Sequence, residues 1–197
     1  MTTTAISFPK LGWSFEVPRS ISLFGFEIYF YALFICAGLI LAYIYCSRRV
    51  DRFGLTKDTL LDGLIIGVPV AIVGARLWYC LFAPAGEITE FLDIFRVRNG
   101  GLAIYGAIFS IAIFLIIFCR IKKLSFLKYF DLVMPSIALA QAFGRIGCFL
   151  AGCCYGKPAD WGIAMQQTPD VPRIPIQLIE AGCLLVIFAG LLLLQHR

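Results

Sequence analysis

The chain has 197 residues, 60% of them hydrophobic and 15% charged, with a net charge of +5 and a mean hydropathy of +0.88. Soluble domains carry roughly 45–50% apolar and about 25% charged residues, so a water-soluble globule is excluded and lipid is the solvent for most of this chain. The positive balance marks no nucleic-acid partner, because Lys and Arg lie in short gaps between apolar runs, not along a stripe interleaved with aromatics.

Residues 1–24 mix Trp13, Phe8 and Phe15 with Pro9, Pro18 and few charges, and read as an interfacial arm. With Lys10, Glu16, Arg19 and two prolines they hold no apolar run suited to a cleavable signal. A spanning helix needs about 20 mostly apolar residues. Five runs qualify: Phe26 to Cys46, Leu60 to Phe82, Leu102 to Cys119, Tyr129 to Phe149, and Pro175 to Gln195. The predicted fold is therefore all-α: a polytopic membrane helix bundle of about five transmembrane helices, one membrane domain over residues 1–197. The segments 83–101 and 156–174 are loops. Within the first, EITEFLDIFRVR (87–98) alternates charges with Ile88, Phe91, Leu92, Ile94 and Phe95 and reads as a short interfacial helix or turn.

Loop charge predicts orientation. Arg48, Arg49, Arg52 and Lys57 follow the first run, Arg120, Lys122, Lys123 and Lys128 follow the third, and Arg197 ends the chain. The alternate segments carry fewer basic residues, Lys10, Arg19, Arg96, Arg98, Lys157 and Arg173, diluted by acids such as Glu16, Glu87, Glu90, Asp93, Asp160 and Asp170. The positive-inside rule then puts the amino terminus outside and the carboxy terminus inside, the parity that five spans require.

Ionisable groups inside a span cost about 2.5–3.5 kcal/mol each at a helix centre. Arg76 lies near the outer end of the second run and Arg145 near the outer end of the fourth; Asp62 and Asp131 lie near inner ends, Glu27 and Glu180 near outer ones. Each can be a terminal side chain snorkelling to water. The arginines also admit a functional reading, since Gly144 and Gly147 bracket Arg145 and let a ligand approach closely. Gln141, Arg145 and Cys148 share one helix face. A guanidinium is a planar fork of donors suited to phosphate oxygens, so two such forks on the outer side describe a phospholipid headgroup clamp. Tyr105, opening the third run between glycines, and Tyr31, in the first, either join that site or belong to an aromatic belt and a packed helix face.

The thiols Cys148, Cys153 and Cys154 suggest metal or redox chemistry. No fourth Cys or His stands nearby in sequence, so a closed zinc site is not expected. A disulfide from Cys148 to either neighbour and a thiolate activated beside Arg145 both remain open. The other five cysteines, Cys36, Cys46, Cys80, Cys119 and Cys183, fall in apolar runs, where a thiol behaves as a small hydrophobe.

The stretch FDLVMPSIALAQAFGRIGCFLAGCCYGKP resembles the signature region of the prolipoprotein diacylglyceryl transferases, with its Asp, Pro, Gln and Gly-Arg-x-Gly. SLFGFEIYFYALFICAGLILAY, GARLWYCLF, NGGLAIYGAIFS and RIPIQLIEA match other family segments in the same order, over nearly the whole chain. Position by position, Arg145 and Gly156 occupy the signature's arginine and final glycine. Arg76, Tyr31, Tyr105, Arg173, Gln177 and Glu180 take matching places elsewhere. The chain departs from the family pattern at Cys148, where Asn is usual, and at Cys153, where Glu is usual. Tyr105 and Ile174 stand where many members have His, and the connection from Lys157 to Arg173 is short.

The resemblance implies a multi-pass protein of the bacterial plasma membrane. It implies transfer of the diacylglyceryl group of phosphatidylglycerol, or a related anionic phospholipid, to the thiol of a lipobox cysteine in a preprotein. A thioether forms and glycerol phosphate leaves. No metal or cofactor is implied. Arg145, Tyr105 and Glu180 are the catalytic candidates, with Tyr105, Glu180 or Cys153 as the proton acceptor. Arg76, Tyr31, Gln141, Cys148, Cys153, Gly156, Arg173 and Gln177 are the substrate-binding candidates. Two other readings stand beside this one: a non-catalytic phospholipid-binding or transport paralogue, and a membrane thiol oxidoreductase using Cys148, Cys153 and Cys154.

Overall fold

The computed structural model describes residues 3–8, 12–23, 26–83, 101–165 and 168–195. Five helices are long and apolar enough to cross a membrane: α1 (Phe30–Ser47), α2 (Lys57–Phe82), α3 (Ile104–Ile121), α4 (Phe126–Leu150) and α5 (Ile176–Gln195). All five expected runs are thus helices. Their large apolar side chains are widely exposed, Leu81 at 74%, Val186 at 72% and Leu193 at 72%, as befits helices solvated by acyl chains. Pro69 and Pro135 sit inside α2 and α4 without ending them.

The all-α expectation is corrected by six strands: β1 (Thr3–Phe8), β2 (Trp13–Pro18), β3 (Ser20–Leu23), β4 (Phe26–Tyr29), β5 (Pro158–Met165) and β6 (Thr168–Arg173). Four form an antiparallel sheet in the order β2-β1-β5-β6, and β3 pairs with β4 in a separate hairpin. The physical reason is that short strands of low charge are held by their partners and by a small core, not by a pattern of their own. Ile6, Ile163 and Met165 turn inward and pack with Phe149, beside Leu150 and Tyr155. Because Phe26 to Tyr29 pair with Ser20 to Leu23, α1 starts four residues later than its apolar run. α2 starts earlier than its own, where the Thr56 hydroxyl accepts from the Thr59 N–H at 3.2 Å. The segment 87–98 lies outside the described residues.

The chain forms two compact units, residues 1–46 with 133–197, and residues 47–132. In the first, α1 and α4 approach closely at small residues: a Cβ on Gly38 would lie 2.9 Å from Phe143 Cβ, and one on Gly147 3.2 Å from the Tyr31 ring. The Tyr45 hydroxyl donates to Gln195 Oε1 at 2.6 Å and fastens the end of α1 to the end of α5. In the second unit, Gly74 and Gly106 bring α2 and α3 together, and a Cβ on Gly106 would collide with the Gly74 carbonyl and Trp78. Trp78 stacks on Phe109 at 5.2 Å. Asp62 of α2 pairs with Lys122 just past α3 at 2.7 Å, so it has a partner beyond the water it was expected to reach.

Candidate active site

The end of α4 is closed by a specific backbone motif. Gly152 takes φ +69°, its N–H donates to Phe149 O at 3.0 Å, and the Cys153 N–H donates to Cys148 O at 3.1 Å. This is a Schellman cap, which brings the residue after the glycine back over the residue five positions earlier. The cap explains the thiol cluster: Cys153 folds over Cys148, and its Sγ approaches the Cys148 carbonyl at 3.6 Å. Cys154 takes a left-handed φ of +62°, and the three sulfurs lie within 4.8 Å of one another.

α5 docks on this turn. The Gln177 side chain is fully buried, and its Nε2 donates to Cys153 O at 2.5 Å. Among the described residues its Oε1 has no hydrogen-bond partner. One turn further along α5, Glu180 Oε2 lies 2.6 Å from Arg145 Nε. That oxygen is buried yet makes no hydrogen bond of good geometry among the described residues, so the contact with Arg145 is a charge pairing. No hydrogen bond to the terminal nitrogens of Arg145 is found among the described residues.

The connection between α4 and α5 is built on Arg173. Its Nη1 donates to Gly156 O at 3.3 Å, its guanidinium lies 4.9 Å from the centre of the Tyr155 ring, and its buried Nε has no hydrogen-bond partner among the described residues. Gly156 N–H donates to Ile174 O at 2.9 Å, and Ile174 N–H to Lys157 O at 3.0 Å. A Cβ on Gly156 would sit 3.1 Å from Ile174.

Seven sequence candidates thus meet around one helix end: Arg145, Cys148, Cys153, Gly156, Arg173, Gln177 and Glu180. Tyr31 joins them from α1, within electrostatic reach of Arg145 and all three thiols. Gln141, one turn before Arg145, is exposed on α4. Arg76 and Tyr105 belong to the second unit. Arg76 is buried, donates through Nη1 to Gly101 O at 2.9 Å and lies 5.4 Å from the centre of the Tyr79 ring. There it holds the entry to α3, where Gly101 has φ +73°. Tyr105 is 65% exposed on the first turn of α3.

Sequence reasoning missed the Schellman cap at Gly152, although Cys-x3-Gly-Cys at a helix end is its spacing, and the ring face of Tyr155, for which residue type gives little signal. Gly101, one of the glycines before Tyr105, makes a tight turn at φ +73°, but the role of its carbonyl bears no residue signature.

Burial, then the neighbouring Cys148 and Cys154 thiols, push the Cys153 thiol up to about 12. Cys153 is therefore protonated at neutral pH and takes no proton from another group. Arg145, by contrast, offers a cation with its Nε fixed and its terminal fork unengaged, an arrangement able to receive two oxygens of a phosphate.

The model of the family described as prolipoprotein diacylglyceryl transferase matches residues 18–197. Three relatives bear the name phosphatidylglycerol–prolipoprotein diacylglyceryl transferase. The protein from Clostridium tetani is 40% identical over 157 residues, 79% of this chain and 63% of the relative. That from Finegoldia magna is 39% identical over 147 residues, 74% of this chain and 59% of the relative. That from Oceanobacillus iheyensis is 36% identical over 187 residues, 86% of this chain and 64% of the relative. The chain spans less than two thirds of the length of each.

Proposed function

Because the chain belongs to the prolipoprotein diacylglyceryl transferase family, we propose that it transfers the diacylglyceryl group of phosphatidylglycerol to the thiol of a lipobox cysteine in a preprotein. The observation that carries this reading is the Arg145–Glu180 pair at 2.6 Å, beside the helix end where Cys148, Cys153, Gly156, Arg173 and Gln177 gather. In the reaction the acceptor sulfur forms a bond to the glycerol carbon. The carbon–oxygen bond to phosphate breaks, and the electron pair leaves with glycerol phosphate. The thiol proton passes to a base.

Arg145 binds the phosphate in this reading and stabilises the charge that grows on the leaving oxygen. Glu180 fixes the guanidinium through Oε2 and offers Oε1 to the acceptor proton. Gln177 and Arg173 hold the turn that frames the headgroup, with Cys148, Cys153 and Gly156 lining it and Tyr31 and Gln141 beside it. Arg76 orders the entry to α3, on whose first turn Tyr105 lies. The chain acts as one membrane domain of the bacterial plasma membrane, amino terminus outside, with the chemistry on the outer face, where lipid and secreted preprotein both arrive.

The test is transfer by the purified chain in vesicles containing labelled phosphatidylglycerol and a lipobox peptide. Release of glycerol phosphate with a matching mass gain on the peptide cysteine is expected. Lipid binding without release would instead identify a non-catalytic paralogue.

A further inference from the structure

Phosphate chemistry at Arg145 has no use for three thiols, yet the fold gathers them with two separate devices. The Schellman cap lays Cys153 over Cys148. Cys154 adopts a φ of +62°, a left-handed conformation unfavourable for a residue with a Cβ, and its sulfur joins the others within 4.8 Å. Burial alone does not account for the group, because Cys154 is exposed. Beside it lies the buried Gln177 carboxamide, with Nε2 on the Cys153 carbonyl and, among the described residues, no hydrogen-bond partner for Oε1. An orphaned buried acceptor next to three soft donors is the second, independent sign of a ligand.

We propose that Cys148, Cys153 and Cys154 bind a thiophilic d10 cation of the Zn(II) class as three thiolates, with Gln177 Oε1 or a water in the fourth position. A tetrahedral ion with Zn–S of about 2.3 Å places its sulfurs about 3.8 Å apart. Small side-chain rotations therefore close the present cluster. Three thiolates around a divalent ion leave one net negative charge, and the Arg145 cation is within electrostatic reach of Cys148. Binding releases the thiol protons to solvent, so affinity rises with pH. It is a property of these thiols, whether or not Arg145 holds a phosphate.

The test is a Co(II) titration of the purified, reduced full chain in detergent under anaerobic conditions. A sulfur-to-cobalt charge-transfer band with tetrahedral visible bands, saturating at one ion per chain and bleached by Zn(II), is expected. The triple variant C148S/C153S/C154S should lose the band while keeping its other five cysteines. The single variant C154S, at the exposed position, guards against misfolding of the triple and should also lose the saturating 1:1 form. Gln177→Leu should shift the visible bands and weaken binding on the order of 10-fold. No thiolate band in the wild type, an unchanged band in the triple variant, or a Cys148–Cys153 disulfide formed in place of metal uptake would each overturn the proposal.

Discussion

Arg145 Nε and Glu180 Oε2 meet at 2.6 Å, joining the last turns of α4 to the first turns of α5. With side chains 30% and 40% exposed, such a pair adds little to stability. Its effect is orientation: it holds one edge of the guanidinium through Nε.

Arg145→Ala is expected to reduce transfer on the order of 100–1000-fold, with the protein still folded in membranes. Arg145→Lys should recover little of it, since a point charge cannot reproduce a bidentate contact. Glycerol phosphate release from labelled phosphatidylglycerol measures both. Near-normal turnover by either variant removes the guanidinium from the chemistry.

Glu180→Gln separates orientation from proton transfer. If Oε1 accepts the thiol proton, kcat should fall on the order of 100-fold with little change in KM for lipid. A loss of only a few-fold would leave Glu180 as a positioning residue for Arg145. Steady-state kinetics with lipid and peptide varied separately decide this.

Cys153 should be slow to alkylate. At pH 8 a thiol near 12 holds on the order of a thousand-fold less thiolate than one near 9. Its iodoacetamide reaction, followed by peptide mass mapping, should keep accelerating with pH well beyond 9. A plateau near pH 9 would show an unperturbed thiol.

Gly152→Val should destabilise the protein by about 1–2 kcal/mol, because the left-handed φ that ends α4 opposes any Cβ and a branched one most. Gly152→Asn should be better tolerated. Chemical unfolding in detergent reads the difference. Equal stabilities would mean that the cap contributes nothing.

Gly106→Leu should cost at least about 1–3 kcal/mol by overpacking the α2–α3 crossing, where a Cβ would already collide with Gly74 and Trp78. Gly190→Ala, in the interior of α5, meets nothing within 4 Å and serves in the same unfolding assay as the comparison without overpacking, expected to leave stability unchanged or raise it by up to about 1 kcal/mol.

The five helices were legible because about 20 apolar residues in a row admit few other structures. The strands were not, because short alternating runs such as Thr-Ala-Ile-Ser-Phe carry little periodic signal until a partner is known. At the site, Arg145 stood out by its glycine flanks and its cost in lipid. Its pairing with Glu180 is set by the crossing of α4 and α5, which no local pattern encodes. The tie from Arg76 to Gly101 was hidden for a related reason, since a carbonyl acceptor bears no residue signature.

Ile6 pairs with Met165 in the central strands of the sheet, so β1 meets β5 only after the four helices between them have been made. Until then the β1–β2 hairpin carries an open edge. Sheet closure is then a late step of biogenesis, and truncation before β5 should leave that edge unpaired and vulnerable to proteases.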